Sequence, residues 1–177
     1  MEQSPRLWRR AGRRFTAWKN GGGHTAEILA MPEGAGIDAF DWRISTAEVA
    51  QSGPFSEFPG IDRWLAVLEG GPMDLILPDR RVTLGPGSAP EHFPGDEPCT
   101  AELTGVPLLD LNVMVRRPLR ARVAPRPSQG PVRARYALAT EAVPELDLER
   151  HDLIETLPRD GFDGRLIWIE ISGDRAP

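Results

Sequence analysis

The residues whose types and spacing could do chemistry are Lys19, Asn20, Gly22, Glu27, Arg43, Ser45, Arg63, Asp110 and Asn112. Lys19 is the only lysine in the chain, and it stands directly before Asn20-Gly21-Gly22-Gly23. Consecutive glycines bury no side chain and cost more backbone entropy to order than any other run. Such a run needs positive φ or a close approach of the backbone to something else. One reading is a tight turn with an incidental lysine beside it. The other is an anion cradle, where backbone N–H groups reach a carboxylate unhindered by Cβ atoms and Lys19 adds a point charge.

Arg43 and Ser45 lie two residues apart, as do Asp110 and Asn112, so each pair shares one face of a strand. If these faces oppose one another inside a barrel, they form a polar cavity whose cationic donors suit a small carboxylate. If they face solvent, they are only solvated. Arg63 follows Phe58-Pro59-Gly60-Ile61-Asp62, a turn sequence that would aim its guanidinium at a ligand from a rigid corner. The competing reading pairs Arg63 with Asp62 or Glu27 and makes it a structural residue.

Other chemistries lack their residues. His24, His92 and His151 are widely spaced, and no His-x-His pair puts two ligands on one strand face. Neither a metal nor any other cofactor is expected. No Gly-x-Ser-x-Gly elbow occurs, and Cys99 follows Pro98 with no histidine near it, which reads as a structural thiol. The lysine precedes the glycines, so the run is not a phosphate-binding loop of the Gly-x-x-x-x-Gly-Lys type.

The elements that must position these groups are strands. Residues 40–49 alternate, with Trp42, Ile44 and Thr46 on one face and Asp41, Arg43, Ser45 and Ala47 on the other. Residues 107–116 do the same: Leu109, Leu111, Val113 and Val115 make an apolar face opposite Leu108, Asp110, Asn112, Met114 and Arg116. Further strands are expected over 24–31, 64–69, 73–77, 81–84, 100–104, 118–124, 132–139, 152–156 and 165–171. Residues 5–18 read as an edge strand with a short helical turn. Residues 52–56 read as a turn around Phe55, and 85–98 as loop. The 18 glycines and 18 prolines favour many short strands over long helices. An all-β sandwich or jelly-roll barrel follows. The 177 residues suffice for a single domain over 1–177, with an internal division near 117–131, where a Pro-rich loop at 125–131 is the expected boundary.

The net charge of −5 argues against nucleic acid as the main partner, and the arginines of residues 6–14 read as a solvated face. No apolar run approaches membrane-spanning length, so no membrane association is expected. The basic N-terminal segment lacks a following apolar stretch and reads as mature protein. One cysteine suits a reducing cytoplasm. The partner expected is a small anionic metabolite, and a homodimer is allowed.

Several blocks then carry a resemblance. They are Trp18-Lys19-Asn20-Gly21-Gly22-Gly23 with Thr25 and Glu27, Asp41-Trp42-Arg43-Ile44-Ser45 with Ala47-Glu48-Val49, and Gly53-Pro54-Phe55-Ser56. Phe58-Pro59-Gly60-Ile61-Asp62-Arg63, Phe93-Pro94-Gly95-Asp96 and Asp110-Leu111-Asn112-Val113-Met114 follow in order. Spanning about residues 16–117, they resemble the HutD/Ves family. The chain departs from the family's usual Asp-Phe-Asn at Leu111, on the apolar face, which should alter packing and leave Asp110 and Asn112 in place.

The resemblance implies a cupin-like double-stranded β-helix, with two cupin-like halves in one compact unit and a degenerate metal motif. It implies an association with histidine-utilisation genes and a role in limiting that pathway by binding an anion such as urocanate, formylglutamate or formate. Two functions stay open. The first is a non-catalytic binding protein that regulates histidine catabolism. The second is a metal-independent enzyme of the cupin superfamily acting on a small carboxylic acid, with Lys19 or Glu27 as acid/base.

Overall fold

A computed structural model describes residues 5–155 and 164–174. Among them are fifteen strands and two single 3-10 turns, so the protein is all-β. The chain forms two compact units. One is the contiguous Arg14–Arg117; the other joins Met1–Arg13 to Pro118–Pro177. The division therefore falls between Arg117 and Pro118. The loop at 125–131, expected as the boundary, instead lies within the second unit.

Strands are numbered along the chain, β1 being Leu7–Trp8 of the second unit. The first unit holds β2 (Thr16–Ala17), β3 (Gly23–Met31), β4 (Trp42–Val49), β5 (Gly53–Phe55) and β6 (Ile61–Gly70). It continues with β7 (Met73–Ile76), β8 (Arg81–Leu84), β9 (Glu91–Pro94), β10 (Cys99–Leu103) and β11 (Leu108–Arg116). Six strands pair in the order β2-β3-β4-β11-β6-β9 and four in the order β5-β10-β7-β8. Ala47, Val49, Leu65 and Val67 of the larger sheet pack with Met73, Leu75, Leu84 and Ala101 of the smaller in one core. This is a cupin-like jelly roll. The alternation in β4 and β11 explains it: Ile44, Leu111 and Val113 are buried on one face, and Ala47 and Leu108 on the other.

Three local expectations need correction. Residues 53–55 are a strand rather than a turn, pairing with β10 through Cys99↔Phe55 and Ala101↔Gly53. Pro54 is tolerated because β5 is an edge strand. Residues 91–94, expected as loop, form edge strand β9 against β6. Arg63 is the third residue of β6, not the end of a turn, so the ladder rather than a corner aims it.

The second unit is one five-stranded sheet. Besides β1 it contains β12 (Arg120–Ala124), β13 (Ala134–Ala139), β14 (Leu153–Glu155) and β15 (Leu166–Ser172), in the order β1-β14-β13-β15-β12. Position 156, the end of the expected strand over 152–156, lies outside the described residues. The N-terminal segment is the edge strand and helical turn that the sequence suggested, and Asp152 pins it. The Asp152 carboxylate accepts from the Arg10 N–H at 2.7 Å and from Arg9 Nη1 at 3.0 Å. Glu170 ties down the loop at 125–131. It accepts from Arg135 Nε at 2.7 Å, Arg122 Nη1 at 2.9 Å and the Ser128 N–H at 3.0 Å. Burial alone would push the Glu170 carboxyl up, but Ser128, Arg135 and Arg122 outweigh it and hold it below its ordinary range. No helix among the described residues is long and apolar enough to cross a membrane.

Candidate functional site

The ladder of the larger sheet places side chains in rows across β4, β11 and β6. Met114 stands between Arg43 and Arg63, Asn112 between Ser45 and Leu65, and Asp110 between Ala47 and Val67. Side chains in such rows emerge on one face of the sheet. That face lines a cavity of about 540 Å³, so Arg43, Ser45, Arg63, Asp110 and Asn112 share one chamber rather than facing solvent. The exposed Lys19 and Asn20 also line it.

Arg63 is the deepest cation of the chamber, 4% exposed. Its guanidinium carbon lies 5.5, 5.3 and 5.2 Å from the ring centres of Phe55, Phe58 and Phe93. A guanidinium among aromatic faces gains cation–π attraction that offsets part of its desolvation. Nη1 donates to the Ser56 carbonyl at 3.2 Å, whereas Nε is buried and has no partner. Burial lowers the Arg63 pKa from its ordinary value and Arg43 adds to that, while Cys99 and Asp110 act the other way. The structural pairings considered for Arg63 are not made. Asp62, on the opposite face of β6, binds Arg117 at 2.7 Å, and Glu27 binds Arg43 Nε at 2.8 Å.

Asp110 is 2% exposed and its Oδ1 has no partner. Burial pushes its carboxyl up to about 7, against the opposing pull of Arg63 and the Ala47 N–H. Asn112 likewise leaves Oδ1 buried and unpartnered. Buried polar atoms without partners are rare in native proteins and mark places where another group is accommodated. Here a donor (Arg63 Nε) and two oxygens (Asp110, Asn112) are carried by side chains that line one chamber. Cys99 of β10 is buried in the core shared by the two sheets, its thiol pushed up to about 11 by burial against the effect of Arg63, which suits a structural thiol.

The glycine run is engaged by the neighbouring strands and turn. Gly21 has φ +73° and donates its N–H to the Trp18 carbonyl at 3.0 Å, closing a turn. Gly22 donates to Asn20 Oδ1 at 2.9 Å, and its carbonyl accepts from Ala50 at 2.9 Å. At Gly23 a Cβ would stand 2.3 Å from the Glu48 carbonyl oxygen, so the close approach is to β4. Gly22 is not in the cavity lining, and its N–H is committed. Glu27 is exposed and also lies outside the lining, reaching the chamber through Arg43. The turn does position Trp18, whose indole N–H donates to Thr25 Oγ1 at 2.7 Å and whose ring packs edge-on to Phe55 at 6.1 Å.

Trp18 and the Phe55–Phe58–Phe93 cage were not among the expected site residues. Phe55 and Phe58 stand out as aromatics set in turn-like segments, but Phe93 is far away in sequence and only the β6–β9 pairing brings it opposite Arg63. Among the described residues no three His, Cys, Asp or Glu side chains are grouped to hold a metal ion. His24 and His92 are exposed on β3 and β9, and His92 stacks on Trp64 at 5.1 Å.

The HutD family model matches residues 10–143, three quarters of the chain, taking in every residue of this chamber. The chain belongs to the HutD family. HutD from Pseudomonas fluorescens SBW25, solved in a formate condition, superposes on this HutD chain with a TM-score of 0.78 at 27% identity, covering 96% of this chain and 98% of that one. A 21.2 kDa protein encoded in the hutC 3′ region of Pseudomonas putida is 38% identical over 100 residues, 55% of this chain and 50% of that protein. Protein Ves of Citrobacter koseri is 38% identical over 113 residues, 62% of this chain and 58% of Ves. The matched segments thus span little more than half of these two relatives. HutD proteins are linked to histidine-utilisation genes.

Proposed function

We propose that the chamber of the Arg14–Arg117 unit binds a small anionic metabolite of the urocanate, formylglutamate or formate type, and that the protein limits histidine catabolism through this binding without turning the ligand over. The observation that carries the reading is the caged Arg63, whose side chain lines the chamber and whose buried Nε–H has no protein acceptor. A carboxylate supplies that acceptor and a charge to match. The chamber is of a size usual for small-molecule sites. The family's link to histidine-utilisation genes supports the pathway, and the formate condition of the Pseudomonas fluorescens relative agrees with a carboxylate. The cytoplasm is the proposed setting, which the single, reduced and buried Cys99 fits.

Urocanate titration of Arg63→Ala and Arg63→Lys tests the reading. A charge-assisted hydrogen bond contributes about 1.5–3 kcal/mol, so the alanine variant should bind roughly ten- to a hundredfold more weakly. The lysine variant should recover only part, because the planar fork is lost. Melting temperatures taken on the same samples separate binding from folding: a destabilised variant with unchanged affinity defeats the proposal.

One observation favours the enzyme alternative. A carboxyl pushed up to about 7 in a chamber is suited to proton transfer, and Asp110 fits that role better than the exposed Lys19 or Glu27. Prolonged incubation with each candidate acid followed by mass spectrometry distinguishes the two, since turnover supports the enzyme.

A further inference from the structure

Two ionisable side chains of the chamber each leave one buried atom without a partner in the protein, and they differ in what they need. Arg63 Nε–H requires an acceptor, and Asp110 Oδ1 requires either a donor or a proton. The charges around them form a short account. From β6, Arg63 faces Asp110. From β4, Arg43 lines the same chamber, but its charge is already engaged by Glu27 of β3. Cys99 of β10 lies close enough to Arg63 to influence it, and its thiol is neutral at physiological pH. Lys19, ahead of β3, lines the chamber from an exposed position. The interior therefore offers one unmatched cation and one carboxyl. A carboxylate ligand entering beside an ionised Asp110 would place two anions in a desolvated space with a single buried cation between them. Like-charged carboxylates that share a site do not both stay ionised, and one of them takes a proton.

We propose that the site takes its carboxylate together with one proton, held on Asp110, so that the ligand lies between the Arg63 Nε–H and the protonated Asp110 carboxyl as a second donor. The inference rests on the reading of this chamber as a carboxylate site and deepens it. It assigns Asp110 a role beyond polarity: as a neutral acid it donates to the ligand, and as an anion it repels it. The proton comes from solvent and returns there on release, so no bond is made or broken in the ligand. The cavity then accepts a single deep negative charge, and its occupancy depends on both metabolite and pH. The carboxyl is already poised for this, since burial places its pKa at about 7 without ligand.

Isothermal titration of the full-length protein with formate between pH 6 and 8.5 tests the proposal, run in pairs of buffers with different ionisation enthalpies. Uptake should approach one proton per formate at pH 8, read as a binding enthalpy that changes with buffer. Affinity should fall about thirtyfold from pH 6 to pH 8.5, by tenfold per unit above the Asp110 pKa. The Asp110→Asn variant assigns the effect: its affinity should not vary with pH and its enthalpy should not vary with buffer. A pH-independent affinity with no proton uptake in the unaltered protein overturns the proposal and leaves carboxylate binding standing. So does a slope retained in the asparagine variant. The proton count is read on the unaltered protein, so the test survives a variant that fails to fold. Absence of formate binding at every pH overturns the carboxylate reading itself, and this proposal with it.

Discussion

Replacing Asp110 by asparagine keeps the size and shape of a side chain in the middle of β11 and removes only its ability to ionise. The consequence for stability follows from burial. In the folded protein the carboxyl is pushed up to about 7 from the ordinary 3.8, because a 2%-exposed group loses the hydration its anion requires and Arg63 restores only part of it. The unfolded chain ionises above about pH 4, whereas the folded chain holds its proton until about 7. The contribution of Asp110 is therefore fully present below pH 4 and is lost progressively as the pH rises to 7. About three units at 1.36 kcal/mol each set a ceiling of about 4 kcal/mol, and water entry into the chamber brings the expected loss to about 2–4 kcal/mol. Urea unfolding of both proteins at pH 4, 6 and 8 reads this directly. The asparagine variant should gain about 2–4 kcal/mol on the unaltered protein between pH 4 and pH 8, with nothing further above pH 8. An identical difference between the two proteins at pH 4 and pH 8 would refute the burial argument.

Gly23→Ala should cost about 1–3 kcal/mol in urea unfolding, because the new Cβ meets a backbone oxygen of β4 at 2.3 Å and only a shift of the strands relieves it. In the second unit, Glu170→Ala should cost about 3–5 kcal/mol by the same measurement, since it leaves Arg135 buried with its carboxylate partner gone. Elemental analysis of the purified protein should find no stoichiometric zinc, iron or manganese, because the histidines stand apart and the described residues group no ligand set.

The alternation in β4 and β11 made the jelly roll and the shared face of Arg43, Ser45, Asp110 and Asn112 readable from sequence, because period two is a local property. What escaped is set by pairing between distant segments. Glu91-His92-Phe93-Pro94 is too short and too rich in polar and proline residues to announce a strand, yet β6 recruits it and so brings Phe93 to Arg63. Gly53-Pro54-Phe55 carries turn chemistry and becomes an edge strand only because β10 passes beside it. The glycines at 21–23 were legible as a place where side chains are forbidden. That the obstacle at Gly23 is the Glu48 carbonyl of β4 could not be read without the β3–β4 register. Asp110 was legible as polar, but its raised pKa depends on how little water reaches it, a property of the assembled chamber.

The discontinuous unit has a consequence for the order in which the protein is made. Leu7 and Trp8 emerge from the ribosome long before Leu153 and Ile154, the strand they pair with. Between them lies the whole of Arg14–Arg117, a contiguous segment with its own core. Vectorial synthesis therefore lets the chamber fold first and leaves β1 unpaired, with its backbone donors and acceptors open, until β14 has emerged. Folding of the intervening unit shortens the effective loop between β1 and β14, which lowers the entropic cost of closing them. A ribosome stalled once Arg117 has cleared the exit tunnel would thus display a finished chamber trailing an unmatched strand. Emergence of β14, rather than of the residues that line the chamber, sets the moment at which β1 finds its partner.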